Sequence, residues 1–137
     1  MAIRILVTGS RDWDNRVVMH SAFQAVINEH GPITALGHGA CRGADILGSG
    51  VALLEFGLPW DAVYSYPANW YLMGRMDRSA GPRRNRAMYA DFKPDLVLAF
   101  SDNITRPHSG TADMIAVAVK GGTPVWLFDS SGHRLIL

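Results

Sequence analysis

The chain has 137 residues, of which 48% are hydrophobic and 18% charged, and a formal net charge of +1. This length predicts one domain over residues 1–137, and so large an apolar share excludes a disordered chain. The apolar runs are far shorter than a bilayer span and no charged leader precedes one, so we expect a cytoplasmic protein without a membrane partner. A single cysteine, Cys41, excludes an internal disulfide, and no Cys and His residues have zinc-ligand spacing, so we expect neither a metal nor a cofactor.

Short β-rich runs alternate with helical patterns along the chain, as is typical of βαβ units. The predicted strands are residues 3–8, 33–37, 60–66, 95–100 and 125–128, with residues 134–137 as a candidate edge strand. The predicted helices are residues 15–29, a second from residue 44 to a stop at residue 57, 82–92 and 109–120. Residues 67–81 follow no period and are predicted as a long loop with one helical turn. The pattern indicates an α/β fold, a three-layer sandwich on a mainly parallel sheet of five to six strands.

The turn after the first strand can hold an anion. Gly9 lets backbone N–H groups approach a ligand, Ser10 adds a hydroxyl and Arg11 a positive charge, while Trp13 can stack on a base. A glycine at this position can equally serve only the close packing of strand and helix, and the GxGxxG spacing is missing. Because the turns after parallel strands converge on one rim of the sheet, three further segments are expected to lie beside this one.

The second segment, residues 37–45, has glycines on both sides of the turn into the second helix. Gly39 leaves the helix start open to a ligand, and Arg42 adds a charge in the first turn. Asp45 either complements the helix dipole or binds a ribose hydroxyl. His38 is interpreted as a hydrogen-bonding residue in preference to a proton shuttle, and Cys41 as a small buried thiol in preference to a reactive thiolate.

The third segment is rich in arginine, which accounts for eleven of the thirteen basic residues. Five of them lie close together: Arg75, Arg78, Arg83, Arg84 and Arg86. Arg84 and Asn85 are expected in the first turn of the helix that begins at Pro82. Positive side chains at that end oppose the helix dipole by up to about 1 kcal/mol each, and a bound anion removes the conflict. The alternative is a solvated cluster that pairs with Asp77 and Asp91.

The fourth segment follows the 95–100 strand and opens the last long helix. Ser109, Gly110 and Thr111 offer hydroxyl and N–H groups for a phosphate cradle, although the two hydroxyls are equally suited to cap the helix. His108 is either a further acid or base or a plain loop residue. Four Gly-, Ser- or Arg-rich turns on one rim together predict a small phosphorylated ligand of nucleotide type, with Trp70 and Tyr71 as further stacking surfaces.

The ordered set of motifs VTGSRDW, GHGACRGAD, AGPRRNRAM and PDLVLAF followed by SGTADM resembles the YpsA/YspA-like branch of the SLOG superfamily, over about residues 3–128. The resemblance implies a Rossmann-like fold that binds nucleotides or nucleotide-derived ligands. The superfamily includes the LOG phosphoribohydrolases, in which an Arg of an R-K-x-x-M segment and a Glu of a PGGxGTxxE segment serve cleavage between base and ribose phosphate. Matching these segments sets Arg84 on that Arg, Asn85 on the Lys, and Gly110 and Thr111 on the phosphate-binding pair. The Glu position falls on Met114, whose thioether cannot do this chemistry, so Asp113, one residue earlier, is the candidate carboxylate.

Three hypotheses result. The first is a domain that binds AMP, NAD, ADP-ribose or a similar ligand, as a sensor or an enzyme, and holds its phosphate with Gly9, Ser10, Arg84, Gly110 and Thr111. The second is an N-glycosidic hydrolase or transferase on a nucleoside 5'-phosphate, with Asp113 or Asp45 as carboxylate and Arg84 as electrostatic stabiliser. The third is single-strand nucleic-acid binding through the arginines and tryptophans, which a net charge of +1 disfavours. Because related domains commonly self-associate, a homo-oligomer is expected, with Trp60, Tyr64 or Trp126 at the interface.

Overall fold

The computed structural model describes residues 2–72, 74–105 and 109–137. Within these ranges the helices are α1 (Arg16–His30), α2 (Ala44–Leu54), α3 (Ala80–Phe92) and α4 (Gly110–Lys120). The strands are β1 (Ile3–Gly9), β2 (Ile33–His38), β3 (Val63–Ser65), β4 (Tyr71–Leu72), β5 (Arg75–Met76), β6 (Leu96–Phe100), β7 (Val125–Phe128) and β8 (Arg134–Ile136).

Six of these strands form one sheet in the order β3-β2-β1-β6-β7-β8, in which only the edge pair β7 and β8 is antiparallel. Side chains that alternate along β1 point to opposite faces. Ile5 and Val7 share one core with residues of α1 and α2, whereas Leu6 shares the other with residues of α3 and α4. Helices therefore cover both faces, and the predicted Rossmann-like three-layer sandwich is confirmed.

The register of the central strands brings their carboxyl ends to one rim. Gly9, the last residue of β1, pairs with Phe100, the last residue of β6, and Val7 pairs with His38 at the end of β2. Segments that leave these three strands therefore start side by side, as parallel-sheet geometry predicts.

Two local predictions need correction. The predicted strand over residues 60–66 begins as a short 3-10 helix at Trp60–Ala62, so β3 is only three residues long. Residues 67–81 contain the antiparallel hairpin of β4 and β5 instead of a helical turn. Gly74 lies between the two strands with φ +78°, a conformation that glycine adopts without strain, so the chain reverses there.

The three aromatic residues expected at an interface differ in exposure. Trp60 is 82% exposed and Tyr64 42%, but Trp126 is 4% exposed and packs in the core. Trp126 therefore cannot line an interface, because its ring is covered by the core and lies 5.5 Å from that of His30 in α1. Among the described residues, no helix is both long and apolar enough to cross a membrane.

Candidate functional site

A cavity of about 580 Å³ lies at the rim where β1, β2 and β6 end. All four segments singled out in the sequence contribute to its wall. The lining residues are Thr8, Gly9, Ser10, Arg11, Cys41, Asp45, Trp70, Met76, Arg78, Gly81, Pro82, Arg84, Asn85, Met88, Ser101, Asn103, Ser109, Gly110, Thr111 and Asp113. This volume is within the range of small-molecule sites in proteins.

Four residues predicted for the site do not line this cavity: Trp13, Gly39, Arg42 and Tyr71. Trp13 is 5% exposed, its ring lies 5.5 Å from that of Phe100, and its indole N–H donates to the carbonyl of Asn15. It belongs to the core and offers no stacking surface. Arg42 is exposed outside the cavity, and Gly39 lies behind the wall.

The turn from β2 into α2 is organised by the carboxylate of Asp45. This side chain is 5% exposed, and its Oδ2 accepts hydrogen bonds from the backbone N–H groups of Gly39 at 3.0 Å and Cys41 at 3.3 Å. Burial raises the pKa of Asp45 to about 6, although the N–H of Cys41 and the charge of Arg84 act in the opposite direction. A carboxyl group that titrates near neutral pH is therefore part of the cavity wall.

His38 is a structural residue of the same turn. It is buried, and its Nδ1 accepts a hydrogen bond from the backbone N–H of Ala40 at 3.0 Å. Burial, followed by the charge of Arg84, lowers the pKa of His38, so the ring is neutral at pH 7. This agrees with its interpretation as a hydrogen-bonding residue.

Cys41 is half-buried, with its sulfur 3.8 Å from an Nη of Arg84.

The guanidinium of Arg84 joins several elements. It donates to the carbonyl oxygens of Gly39 and of Tyr66, the latter at 3.0 Å, and from Nε to Oδ1 of Asn85 at 3.0 Å. A Cβ at Gly39 would lie 2.5 Å from the guanidinium carbon. A larger residue at position 39 would therefore displace the guanidinium of Arg84 from its place against this backbone.

Asn85 continues this network towards α4. It is 3% exposed, and its Nδ2 donates to Oδ2 of Asp113 at 2.9 Å and to the carbonyl of Gly110 at 3.3 Å. The amide of Asn85 therefore orients a carboxylate that lines the cavity. Met114, in contrast, is fully buried in the core beside α3, so the position matched to the LOG glutamate lies outside the cavity.

The amino terminus of α4 forms another part of the wall. Oγ of Ser109 accepts from the N–H of Ala112 at 3.1 Å, so this hydroxyl is a helix cap, as one of the two interpretations predicts. A Cβ at Gly110 would have no heavy atom of the described residues within 4 Å, so the space that they leave beside its backbone is open. The N–H groups of Gly110 and Thr111 form no hydrogen bond with another described residue, as is usual in a first helical turn.

The arginine cluster before and within α3 divides into different environments. Arg83 pairs with Asp77 at 2.5 Å, and hydrogen bonds from Ser79 and then Arg83 lower the pKa of Asp77 to about 2. Asp91 accepts from the hydroxyl of Tyr66 at 2.6 Å instead of from an arginine. The predicted alternative of a paired cluster therefore applies to Arg83 and Asp77 but not to Asp91.

Several lining residues belong to the segments singled out in the sequence but received no individual role there. Arg78 was one of five clustered arginines, with no local signal to separate it from Arg75. Ser101 and Asn103 follow β6 directly, and the rule that strand exits line the site identifies them. His108 lies outside the described residues.

An aromatic and cationic pair closes one side of the cavity. The guanidinium of Arg11 lies 5.2 Å from the ring centroid of Trp70, and the edge of that ring faces the backbone of Gly81. Tyr71 is exposed and does not line the cavity. Among the described residues, no group of three or more His, Cys, Asp and Glu side chains is arranged to hold a metal ion.

The fold is shared with solved structures of distant sequence, and no protein-family model or curated protein matches the chain. One similar structure is the UDP-GlcNAc 2-epimerase from Neisseria meningitidis bound to UDP-GlcNAc, with 18% identity over 93% of this chain and 32% of the other, and a TM-score of 0.53. Another is the zinc-inhibited form of teicoplanin deacetylase Orf2, with 11% identity over 92% of this chain and 67% of the other, and a TM-score of 0.52. The chain thus spans about a third of the epimerase chain. The likeness defines a protein of Rossmann-like α/β fold.

Proposed function

We propose that the protein binds the phosphate-bearing part of a nucleotide or nucleotide-derived ligand, such as AMP, NAD or ADP-ribose, in the rim cavity. The observation that carries this proposal is the convergence of Gly9, Arg84 and Gly110 on one cavity of about 580 Å³. Since these residues come from three different segments, the wall combines backbone N–H groups, hydroxyls and guanidinium charge around one volume.

The start of α4 is the best-suited phosphate position. Gly110 and Thr111 have N–H groups available in the first turn, the helix dipole favours an anion there, and the backbone of Gly110 can be approached closely. Ser10 adds a hydroxyl from the β1 exit.

Another part of the wall suits an aromatic base. Trp70, Met76, Pro82 and Met88 line it, and an indole beside thioethers forms an apolar surface. The epimerase neighbour was solved with UDP-GlcNAc, a nucleotide sugar, so its Rossmann-like fold is compatible with a ligand of this class. We also propose, on the four motifs, that the chain belongs to the YpsA/YspA-like branch of the SLOG superfamily.

Cleavage of an N-glycosidic bond is a second candidate function, favoured by the two carboxyl groups of the cavity. Asp45, with a pKa raised to about 6, could donate a proton near neutral pH, and Asp113 is held in place by Asn85. In this candidate Arg84 stabilises developing negative charge. The hypothesis of single-strand nucleic-acid binding is weakened, because one of its proposed stacking residues, Trp13, is buried.

Thermal unfolding with AMP, NAD and ADP-ribose tests the proposal. A ligand at 100 times its dissociation constant adds about 2.7 kcal/mol to the free energy of unfolding. We expect at least one of the three to raise the Tm, and no rise with any of them contradicts the proposal. Chromatography of the incubated nucleotide then separates binding from cleavage. Stabilisation by an oligonucleotide alone, falling steeply with salt, would support the nucleic-acid hypothesis instead.

A matched pair of glycine variants locates the site. Gly110→Ala and Gly50→Ala both add a methyl group to a helical glycine with open space around it, but only Gly110 lines the cavity. Both variants should fold as stably as the wild type or slightly better. Gly110→Ala should weaken the best ligand about tenfold, a loss of about 1.4 kcal/mol, because its methyl group occupies the space of the phosphate. Equal affinity in the two variants would contradict a phosphate at α4.

A further inference from the structure

We infer that Arg78 and Arg11 supply the guanidinium groups that contact the phosphate of the ligand, and that Arg84 is a positioning residue. The inference rests on the proposed function and assigns roles within that site. Arg78 belongs to the segment between β5 and α3, and Arg11 to the turn between β1 and α1, so two separate segments present positive charge to one cavity.

The hydrogen bonds of Arg84 within the protein leave few of its N–H groups available to a ligand. A guanidinium has five N–H groups. In Arg84, Nε donates to Asn85, one Nη donates to the carbonyls of both Gly39 and Tyr66, and the other Nη donates to the sulfur of Cys41. One N–H has no partner among the described residues, whereas a bidentate contact with phosphate requires two parallel N–H groups.

The partners of Arg84 explain what it does instead. Gly39 belongs to the β2–α2 turn and Tyr66 follows β3, while Arg84 itself lies in α3. Through Asn85 the network reaches Asp113 of α4. One guanidinium thus fixes several parts of the cavity wall relative to each other.

The other arginines of the cluster are excluded by their contacts or their location. Arg83 pairs with Asp77, and Arg86 donates to the carbonyl of Pro82 in its own helix at 3.0 Å. Arg75 is exposed but does not line the cavity. Each of these three is therefore either engaged elsewhere or outside the site.

Arg78 and Arg11 both lie on the cavity wall, and their guanidinium N–H groups donate to no other described residue. Both are exposed, and neither forms a hydrogen bond or an ion pair with another residue in the described ranges. Arg11 is oriented by its contact with the ring of Trp70. The acidic groups of the wall already have protein donors, since Asp45 accepts from backbone N–H groups and Asp113 from Asn85. An incoming phosphate therefore meets two guanidinium groups without having to break an internal ion pair.

The experiment compares charge-removing variants inside and outside the cavity. Arg78→Gln and Arg11→Gln test the assigned contacts, and Arg75→Gln and Arg42→Gln are matched controls, because these two residues are exposed outside the cavity. Calorimetric titration uses whichever of AMP, NAD and ADP-ribose stabilises the wild type most, together with adenosine, the phosphate-free nucleoside that all three contain. Arg78→Gln should lose tenfold or more in nucleotide affinity with adenosine affinity unchanged. Arg11→Gln should lose more affinity for nucleotide than for adenosine, because Arg11 also contacts the ring of Trp70. The controls should stay within about twofold of wild type.

The positioning role of Arg84 has a different signature. Arg84→Gln should weaken nucleotide and adenosine by similar factors, measured at a temperature where the variant is fully folded, because the whole wall shifts. Arg84→Lys should recover part of both affinities, because an ammonium can still donate to the carbonyls of Gly39 and Tyr66. A purely structural residue would lower only the Tm and leave both affinities of the folded variant intact, which would overturn the role.

The outcomes separate this inference from the proposed function. If the wild type binds no nucleotide, the proposed function fails. If the wild type binds but Arg78→Gln and Arg11→Gln behave like the two controls, this inference alone fails. It also fails if Arg84→Gln loses nucleotide affinity selectively and keeps that for adenosine, since Arg84 would then be the phosphate contact.

Discussion

Replacement of Asp45 by Asn removes a buried charge while it preserves the shape of the side chain. The carboxylate lies at the cavity wall, 5% exposed, with Oδ2 bound by the N–H groups of Gly39 and Cys41. An asparagine oxygen can accept the same two hydrogen bonds, so the turn should be retained. What changes is the cost of keeping an ionised group away from water.

The size of this cost follows from the pKa of Asp45. Burial raises it from 3.8 to about 6, which corresponds to about 3 kcal/mol between the two protonation states. Because the folded-state pKa is the higher one, the stabilising contribution of the protonated group is complete below pH 3.8 and is lost as the pH rises through about 6. Relative to the wild type, Asp45→Asn should therefore be about 2–3 kcal/mol more stable at pH 7.5 and nearly equal at pH 3.5.

Urea unfolding of both proteins at the two pH values measures this difference in the free energy of unfolding. In thermal unfolding at pH 7.5, the gain should appear as a Tm increase of roughly 10 °C. Other carboxyl groups that titrate in the same range cancel in the comparison of the two proteins. Asp61→Asn is the control, because Asp61 is exposed and its replacement relieves no burial. A variant that is less stable than the wild type at both pH values, or a difference independent of pH, would refute the argument from burial.

Two further substitutions test the packing around the site. Gly9→Ala should lower the free energy of unfolding by about 1–3 kcal/mol in urea, because its Cβ would collide with Cβ of Ala44 and the carbonyl oxygen of Phe100; wild-type stability would contradict the close approach. Met114→Glu, which restores the glutamate of the LOG pattern, should lower the Tm strongly or prevent folding, because it buries a carboxylate in a fully enclosed core position. A stable Met114→Glu variant that cleaves AMP would show that position 114 can reach the cavity.

The sheet and the location of the site could be predicted because both depend on local patterns. The continuous apolar run of β6 is typical of a strand buried on both faces, and Leu96–Phe100 is indeed fully buried. Because β1 and β6 are parallel, both end at one rim, and the sequence rule predicts that Gly9 and the segment leading to Gly110 lie there.

The roles of individual side chains could not be predicted, because they depend on partners distant in sequence. From the sequence, Arg84 is interpreted as a free cation at a helix start. In the structure it donates to the carbonyls of Gly39, 45 residues away, and Tyr66, 18 residues away. The position of Trp13 in a turn predicts an accessible aromatic side chain, but its ring packs against that of Phe100. The hairpin formed by β4 and β5 has strands of two residues each, too short for a periodic signal.

Backbone amide signals followed by NMR during nucleotide titration test the central claim most directly. The ligand is whichever of AMP, NAD and ADP-ribose stabilises the protein most. The account predicts that the largest shifts occur together at Gly9, Ser10, Gly110 and Thr111, which leave two different strands and meet at the cavity. Shifts confined to a surface away from these residues, or no saturable shifts, would contradict a nucleotide site at this rim.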